Sequence, residues 1–334
     1  GPDQEVRVGE VRVPRGRIVA IDLAEPSPDR WVEIVPEVDD TLEFATIVGG
    51  RLVVGRLHNA HHLLAIHDLD GPLVKEIDLP AIGTVTELSG KQQHREMFIG
   101  FQSFVYAPTV LRYDFDDDAL TYFAGSETDS IDPSLFTTSQ IWAESSDGTS
   151  IPMFVTHRRD LDLDGNRPTI LYGYGGFDIS MTPLYAPDRL GFVEAGGVFA
   201  VANLRGGGEY GLEWHQAGML GNKQNVFDDF ASAAEHLTAA GYTSPANLGI
   251  YGRSNGGLLV TASLLQRPEL FGAVVGMVPV TDMLRYHHFT AGRYWVAEYG
   301  NAELNSEHFE FLVKYSPLHN IEPGHYPPTL ITTG

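Results

Sequence analysis

Cysteine is absent from this sequence of 334 residues. The chain therefore has no thiol nucleophile, no cysteine-ligated metal and no disulfide, and its redox compartment stays undetermined. No apolar run approaches the roughly 18 residues that a membrane span needs. No residue pattern indicates a cofactor or a metal site, so we predict neither.

Positive charge is scarce, because 22 Lys and Arg stand against 44 Asp and Glu, for a formal net charge of -22. Such a balance argues against nucleic acid or an anionic membrane as a partner. Hydrophobic residues make up 43% of the chain and charged residues 20%, as in an ordinary globular protein. The length is sufficient for two domains with a large core.

The first part of the chain, residues 1–127, has the alternation of apolar and polar residues that is typical of short β-strands. Three similar strand ends are centred on Asp22, Asp68 and Asp114, which are spaced 46 residues apart. This period favours propeller blades over the hairpin ends of a β-sandwich. About three blades would not close a ring, since propellers typically have four or more. We therefore expect part of a β-propeller here.

The second part, residues 128–334, alternates strand-like runs with helical stretches. Residues 169–172 and 198–202 are typical of strands, and residues 225–240 are typical of an amphipathic helix. This alternation predicts the α/β class, with a mainly parallel sheet covered by helices.

The segment Gly252-Arg253-Ser254-Asn255-Gly256 lies between a predicted strand and a predicted helix. G-x-S-x-G in this setting is the nucleophile elbow of an α/β-hydrolase. A side chain at Gly252 or Gly256 would collide with neighbouring backbone. With 36 glycines the motif could arise by chance, but the strand–helix setting favours Ser254 as a nucleophile.

Acyl transfer at a serine also needs hydrogen-bond donors for the developing oxyanion. The backbone amide of Asn255 is one natural donor. Tyr174, in the glycine-rich loop 172–177 after a predicted strand, is a candidate for the second. A plain glycine-rich turn with packing tyrosines remains the alternative for this loop.

The serine further requires a base and an orienting acid, which follow it in the order acid, then His, in this fold. Asp282 and a later histidine satisfy that order. However, the strand-like run 330–333 stops at the end of the chain, so we expect the acid and base to lie beyond Gly334. His319 and His325 are expected to be structural or solvated.

Five ordered motifs together resemble the prolyl oligopeptidase family of serine peptidases. They are YGYGGF (172–177), NLRGGGEYG (203–211), NKQN (222–225), GRSNGGLL (252–259) and KYSPLHN (314–320). The similarity is strong over 128–334 and weaker over 1–127. It implies a propeller capping an α/β-hydrolase, with the active site between them.

The resemblance also implies site residues and a substrate. Ser254 would attack the carbonyl of a proline residue in a short peptide, with the Tyr174 hydroxyl and the Asn255 amide as oxyanion hole. Trp295 would stack on the proline ring in a pocket that three further side chains help to line: Phe177, Val280 and Tyr299. Flat aromatic faces suit a rigid apolar ring, although residue pattern alone would favour core packing for Trp295 and Tyr299.

The family pattern further implies that propeller blades precede Gly1 and that the catalytic Asp and His follow Gly334, so we expect a partial chain with both ends cut. The complete protein is expected to be a cytoplasmic monomer, with the periplasm or the exterior as alternatives.

Two rival functions stay open. One is a related peptidase of another specificity, of the oligopeptidase B or acylaminoacyl peptidase type. The other is a non-catalytic interaction module on a hydrolase scaffold, if this segment is the whole molecule.

Overall fold

The computed structural model describes residues 13–125 and 132–333. The predicted domain boundary at 127/128 lies outside these residues. Within them, no helix combines the length and the apolar character that crossing a membrane would require.

The N-terminal part is built from antiparallel sheets. The described strands of this part are β1 (Ile18–Ala20), β2 (Val32–Val35), β3 (Thr41–Val48), β4 (Arg51–His58), β5 (His61–His67), β6 (Leu73–Ile77), β7 (Thr84–Ser89), β8 (Glu96–Gln102), β9 (Thr109–Asp114) and β10 (Ala119–Gly125). Strands β3 to β6 form one four-stranded sheet, β7 to β10 form another, and β1 pairs with β2. One hydrophobic core joins the two larger sheets.

The 46-residue repeat marks equivalent places in these sheets. Asp68 follows β5 and Asp114 ends β9, and each of these strands is the third in its four-stranded sheet. Asp22 follows β1, which pairs with the next strand in the same antiparallel manner. The sequence repeat therefore corresponds to a structural repeat.

The C-terminal part contains one seven-stranded sheet. Its strands are β11 (Phe136–Glu144), β12 (Ser150–Arg158), β13 (Thr169–Gly173), β14 (Val198–Ala202), β15 (Leu248–Arg253), β16 (Ala273–Met277) and β17 (Thr329–Thr332). Their spatial order is β11-β12-β14-β13-β15-β16-β17. Pairing is antiparallel up to β14 and parallel from β14 to β17. The carboxyl ends of β13, β15 and β16 therefore meet at one edge, where open α/β sheets place their sites.

Helices cover this sheet. They are α1 (Pro187–Glu194), α2 (Leu212–Gln216), α3 (Gln224–Ala239), α4 (Asn255–Gln266), α5 (Val296–Tyr299) and α6 (Ser306–Tyr315). Short 3-10 turns lie at Pro28–Arg30, Pro133–Leu135, Leu220–Asn222, Pro245–Asn247, Pro268–Leu270, Tyr286–His288, Gly292–Trp295 and Pro317–His319. The helix predicted at 225–240 is α3, which buries Phe227, Phe230 and Leu237 as its pattern requires.

Hydrogen bonds join the two parts of the molecule. The Tyr210 hydroxyl donates to the side-chain oxygen of Asn59 at 2.9 Å, and the Thr84 hydroxyl donates to the carbonyl of Pro183 at 2.7 Å. Thr41 donates to the carbonyl of Glu209 at 3.2 Å. These contacts hold β3, β7 and the turn between β4 and β5 against loops that emerge from the edge of the large sheet described above.

Candidate active site

Ser254 lies in the tight connection between β15 and α4. Its backbone has φ 57° and ψ -117°, a conformation that non-glycine residues rarely adopt. The Ser254 amide donates to the carbonyl of Met277 at 2.9 Å, and its own carbonyl accepts from Leu258 at 3.0 Å. The neighbouring strand and the first turn of α4 thus hold the strained residue in place, with its side chain half-buried.

The two motif glycines are sterically required, as the sequence predicts. A Cβ atom at Gly252 would lie 2.0 Å from the carbonyl oxygen of Gly256. A Cβ atom at Gly256 would lie 2.7 Å from the carbonyl oxygen of Gly173 at the end of β13. Both separations are shorter than real Cβ contacts, so any side chain here would displace the serine.

Tyr174 follows β13 and brings its hydroxyl to Ser254. Burial raises the pKa of Tyr174, and a hydrogen-bonding interaction with Ser254 opposes this rise. The phenol therefore stays protonated at neutral pH and can donate a hydrogen bond beside the serine. The amide of Asn255 is the first of α4, and helix geometry leaves such an amide without an intrahelical acceptor. Two donors of different origin thus lie next to Ser254.

The side chain of Asn255 links the elbow to its surroundings, a role that the sequence analysis missed. Its amide nitrogen donates to the carbonyl of Tyr174 at 2.5 Å. Its oxygen accepts from the Tyr299 hydroxyl at 2.7 Å. Asn255 is only 1% exposed, so this side chain is a structural link between the elbow, the Tyr174 loop and the aromatic residues beyond it.

A buried network of charged side chains holds the loop 174–177, which follows β13 and contains Tyr174. Lys223 donates to the carbonyl of Gly175 at 2.7 Å, and its ammonium lies 3.8 Å from the carboxylate of Glu298. Glu298 also accepts from the Phe177 amide at 3.0 Å and from the His215 ring at 2.8 Å. Burial lowers the pKa of Lys223 to about 8, while Glu298 opposes the shift. Three members of this network lie in the sequence motifs at 172–177 and 222–225, namely Gly175, Phe177 and Lys223.

An aromatic cluster lies beside the loop. Phe177 meets Tyr299 edge-on with ring centroids 5.4 Å apart, and it meets Trp295 at 6.4 Å. Tyr286, which the sequence analysis did not select, stacks on Trp295 at 6.5 Å. Phe177 and Trp295 are half-buried, whereas Tyr299 is fully buried. Tyr299 therefore packs beneath Phe177 and contributes no accessible surface to this cluster.

Val280 lies just beyond β16, whose last residue pairs with the last residue of β15. It is half-buried and packs against the same hydrophobic core as Phe177 and Trp295. Phe177 makes ring contacts with Trp295 and with Tyr299. Val280 belongs to the same region because it follows β16, the strand that pairs with β15.

Asp282, His319 and His325, which follow Ser254 in the chain, are not hydrogen-bonded to it. Asp282 forms an ion pair with Arg285 at 2.6 Å. His319 hydrogen-bonds the hydroxyl of Ser316 at 2.8 Å, and His325 is exposed. Across 13–125 and 132–333, no histidine is hydrogen-bonded to Ser254.

A cleft of about 340 Å³ lies between the two parts of the molecule. Its walls include Thr41 and Glu43 from β3, Asp178 from a sheet-edge loop, and Leu212 at the start of α2. Burial raises the pKa of Glu43, and the neighbouring Asp178 adds to the rise. Two carboxyl groups, those of Glu43 and Asp178, line this cleft, and Asp178 follows Phe177 in the chain.

Comparisons with known proteins agree with this geometry. A sequence model described as "Prolyl oligopeptidase family" matches residues 187–334. Another, described as "Prolyl oligopeptidase, N-terminal beta-propeller domain", matches residues 8–125. With the sheets above, these matches confirm the predicted fold class.

Two similar relatives are prolyl endopeptidases. The one from Elizabethkingia miricola is 38% identical over 321 residues, covering 96% of this chain and 45% of its own length. The one from Dictyostelium discoideum is 38% identical over 336 residues, covering 96% and 44%. The chain thus spans about half the length of the relatives that it matches.

Solved structures show the same similarity. A chain from a study of two prolyl endopeptidases superimposes with a TM-score of 0.91 at 45% identity, covering 96% of this chain and 47% of that one. Prolyl oligopeptidase B from Galerina marginata, bound to a 25mer macrocyclization substrate, gives 0.90 at 34% identity, covering 96% and 45%.

Proposed function

This chain belongs to the prolyl oligopeptidase family of serine peptidases, and from that premise we propose that the full-length protein hydrolyses short peptides on the carboxyl side of proline. The observation that carries the proposal is the strained Ser254 at the elbow, with the Tyr174 hydroxyl beside it. A serine held in this way is available for acyl transfer.

In the proposed reaction the Ser254 oxygen attacks the carbonyl carbon of the proline residue. The Tyr174 hydroxyl and the Asn255 amide donate hydrogen bonds to the oxyanion. The tetrahedral intermediate collapses as the amine leaves with a proton, and water then hydrolyses the acyl-enzyme. The proton of the serine must pass to a base. We propose that this base lies outside the described residues.

The aromatic cluster is the proposed proline pocket. Trp295 and Phe177 have accessible surface and set their rings at a steep angle, which suits a compact apolar ring. Tyr299 supports Phe177 and holds Asn255. Val280 is proposed as a further wall at the same sheet edge. We expect this pocket to bind the proline ring more through apolar contact than through hydrogen bonds.

We further propose that the propeller part restricts access to short, unfolded peptides, which enter near the acidic cleft between the parts. The relatives named above are described as acting on prolyl bonds or as bound to peptide substrates. A monomeric state and a cytoplasmic location are part of this proposal.

The test is a substrate panel with the full-length protein and its Ser254→Ala variant. Peptides that differ only in proline, arginine or alanine before the scissile bond, and an acylated amino-terminal substrate, are compared by kcat/KM. We expect the proline peptide to be preferred and Ser254→Ala to lose turnover while keeping the native circular dichroism spectrum. A preference for arginine or for the acylated substrate would support a related peptidase, and no turnover of any substrate would support an interaction module.

A further inference from the structure

A cluster of two histidines and one carboxylate lies beside the aromatic cluster. His287 and His288 are in the 3-10 turn Tyr286–His288, and Glu303 follows α5. The ring nitrogen Nε2 of His288 lies 2.7 Å from one oxygen of Glu303, and Nε2 of His287 lies 3.3 Å from the other. One ligand atom from each of the three side chains lies within 4.8 Å of the other two.

His287 is the unusual member of this cluster. Its side chain is only 8% exposed, yet neither ring nitrogen has a hydrogen-bond partner among the described residues. A buried polar atom without a partner is destabilising and calls for an explanation such as a bound ion. The carboxylate alone accounts for His288, whose hydrogen bond is well formed. Its 3.3 Å contact with Nε2 of His287 lacks hydrogen-bond geometry, and among the described residues Nδ1 of His287 has no partner.

We propose that His287, His288 and Glu303 bind a divalent transition metal ion of the zinc type. Imidazole nitrogen and carboxylate oxygen are the ligands that Zn²⁺ takes in cysteine-free sites, and three protein ligands leave the fourth position for water. The sequence predicts no metal site, because two of the ligands are adjacent, the third follows 15 residues after His288, and this spacing matches no metal-binding motif. This inference is independent of the proposed peptidase function.

The exposure of the three side chains suits such a site. His288 and Glu303 are 52% and 55% exposed, so their side chains can rotate to bring the donors to bonding distances of about 2.0–2.2 Å. The backbone at Glu303 is held by its amide, which donates to the side-chain oxygen of Asn301 at 2.9 Å. The ion would take Nε2 of His287, the ring nitrogen that already lies 3.3 Å from Glu303.

The site would tie together the two ends of the segment that carries Trp295 and Tyr299. Tyr286, next to His287, donates from its hydroxyl to the carbonyl of Gly300. A metal bond between the turn 286–288 and Glu303 would add a second link across the same segment. We therefore expect bound Zn²⁺ to increase the protection of backbone amides in residues 286–303 from hydrogen exchange.

The experiment is a Zn²⁺ titration of metal-free protein in competition with a chromophoric chelator. We expect one tight site per chain, with affinity reduced at least tenfold in His288→Ala and in Glu303→Gln. His325→Ala and Glu322→Gln are matched controls, because both residues are exposed, and they should bind as wild type. The substituted ligands are exposed, so both variants are expected to fold, which circular dichroism checks.

Co²⁺ in place of Zn²⁺ gives a second measurement. A d–d absorption spectrum of tetrahedral type should appear in wild type and disappear in Glu303→Gln. Absence of stoichiometric binding would overturn the proposal. Equal affinities in wild type and both ligand variants would also overturn it, since they would locate the ion at other histidines.

Discussion

The hydroxyl of Tyr299 donates a 2.7 Å hydrogen bond to the side-chain oxygen of Asn255. This bond joins the aromatic cluster to the residue that follows Ser254. Both residues are essentially excluded from solvent, so neither can replace the bond with water. The position of the elbow and that of the proposed pocket are therefore coupled through one short contact.

Tyr299→Phe removes this hydrogen bond and leaves the Asn255 oxygen buried without a donor. We expect the free energy of unfolding to fall by about 1–2 kcal/mol, as measured by urea denaturation. Tyr294→Phe is the matched control, because Tyr294 is 71% exposed and its hydroxyl only accepts from Arg293. Equal stabilities of the two variants would contradict the structural role of Tyr299.

Gly252→Ala should destabilise the elbow, since its Cβ would lie 2.0 Å from a carbonyl oxygen. We expect a loss of about 3 kcal/mol or more in the free energy of unfolding. Gly191→Ala in α1 is the control, because no atom lies within 4 Å of its Cβ position. That substitution should be neutral or stabilise by about 0.5–1 kcal/mol. Equal effects of the two changes would refute the steric argument.

Glu209 predicts a pH dependence of stability. Its carboxyl accepts from the Met181 amide at 2.8 Å, and burial raises its pKa from 4.5 to about 7. A raised folded-state pKa means that the folded protein holds a proton that the unfolded chain releases. The stabilisation from this group is therefore complete below pH 4.5 and is lost as pH rises through 7.

Glu209→Gln should abolish this contribution. Relative to the variant, wild type should lose about 2–3 kcal/mol of unfolding free energy between pH 4.5 and 7.5, at about 1.4 kcal/mol per pH unit. Chemical denaturation at several pH values measures the difference. Glu213→Gln, at an exposed position of α2, should leave the wild-type profile unchanged. If Glu209→Gln also leaves the profile unchanged, the account of Glu209 is wrong.

Trp295→Ala in the full-length protein should reduce kcat/KM for a proline peptide by about tenfold or more, which corresponds to about 1.4 kcal/mol of lost contact. A simple ester without a proline ring should lose much less. Trp295→Phe should recover most of the proline preference, since it keeps an aromatic face. An equal loss on both substrates would exclude the proposed stacking role.

The sequence was sufficient for features that local chain geometry determines. The elbow at 252–256 could be predicted because glycine spacing, a preceding strand and a following helix are all contained in a short segment. The same holds for α3, whose apolar face is visible in its periodicity. The 46-residue repeat was visible because each blade-like sheet repeats the same order of strands.

The remaining features depend on contacts between distant residues. Lys223 and Glu298 are 75 positions apart, and only the folded chain brings the ammonium and carboxylate together behind Gly175. The full burial of Tyr299 likewise depends on packing against Phe177 and Tyr286. No periodicity encodes such contacts, so the support of the site could not be predicted from the pattern of residues.

Labelling of the full-length protein with a serine-directed phosphonate, followed by peptide mass spectrometry, tests directly whether Ser254 is an activated nucleophile. We expect one phosphonate per chain on the peptide that contains Ser254, and none in Ser254→Ala. Label on a different serine, or undiminished proline-peptide turnover by Ser254→Ala, would contradict it.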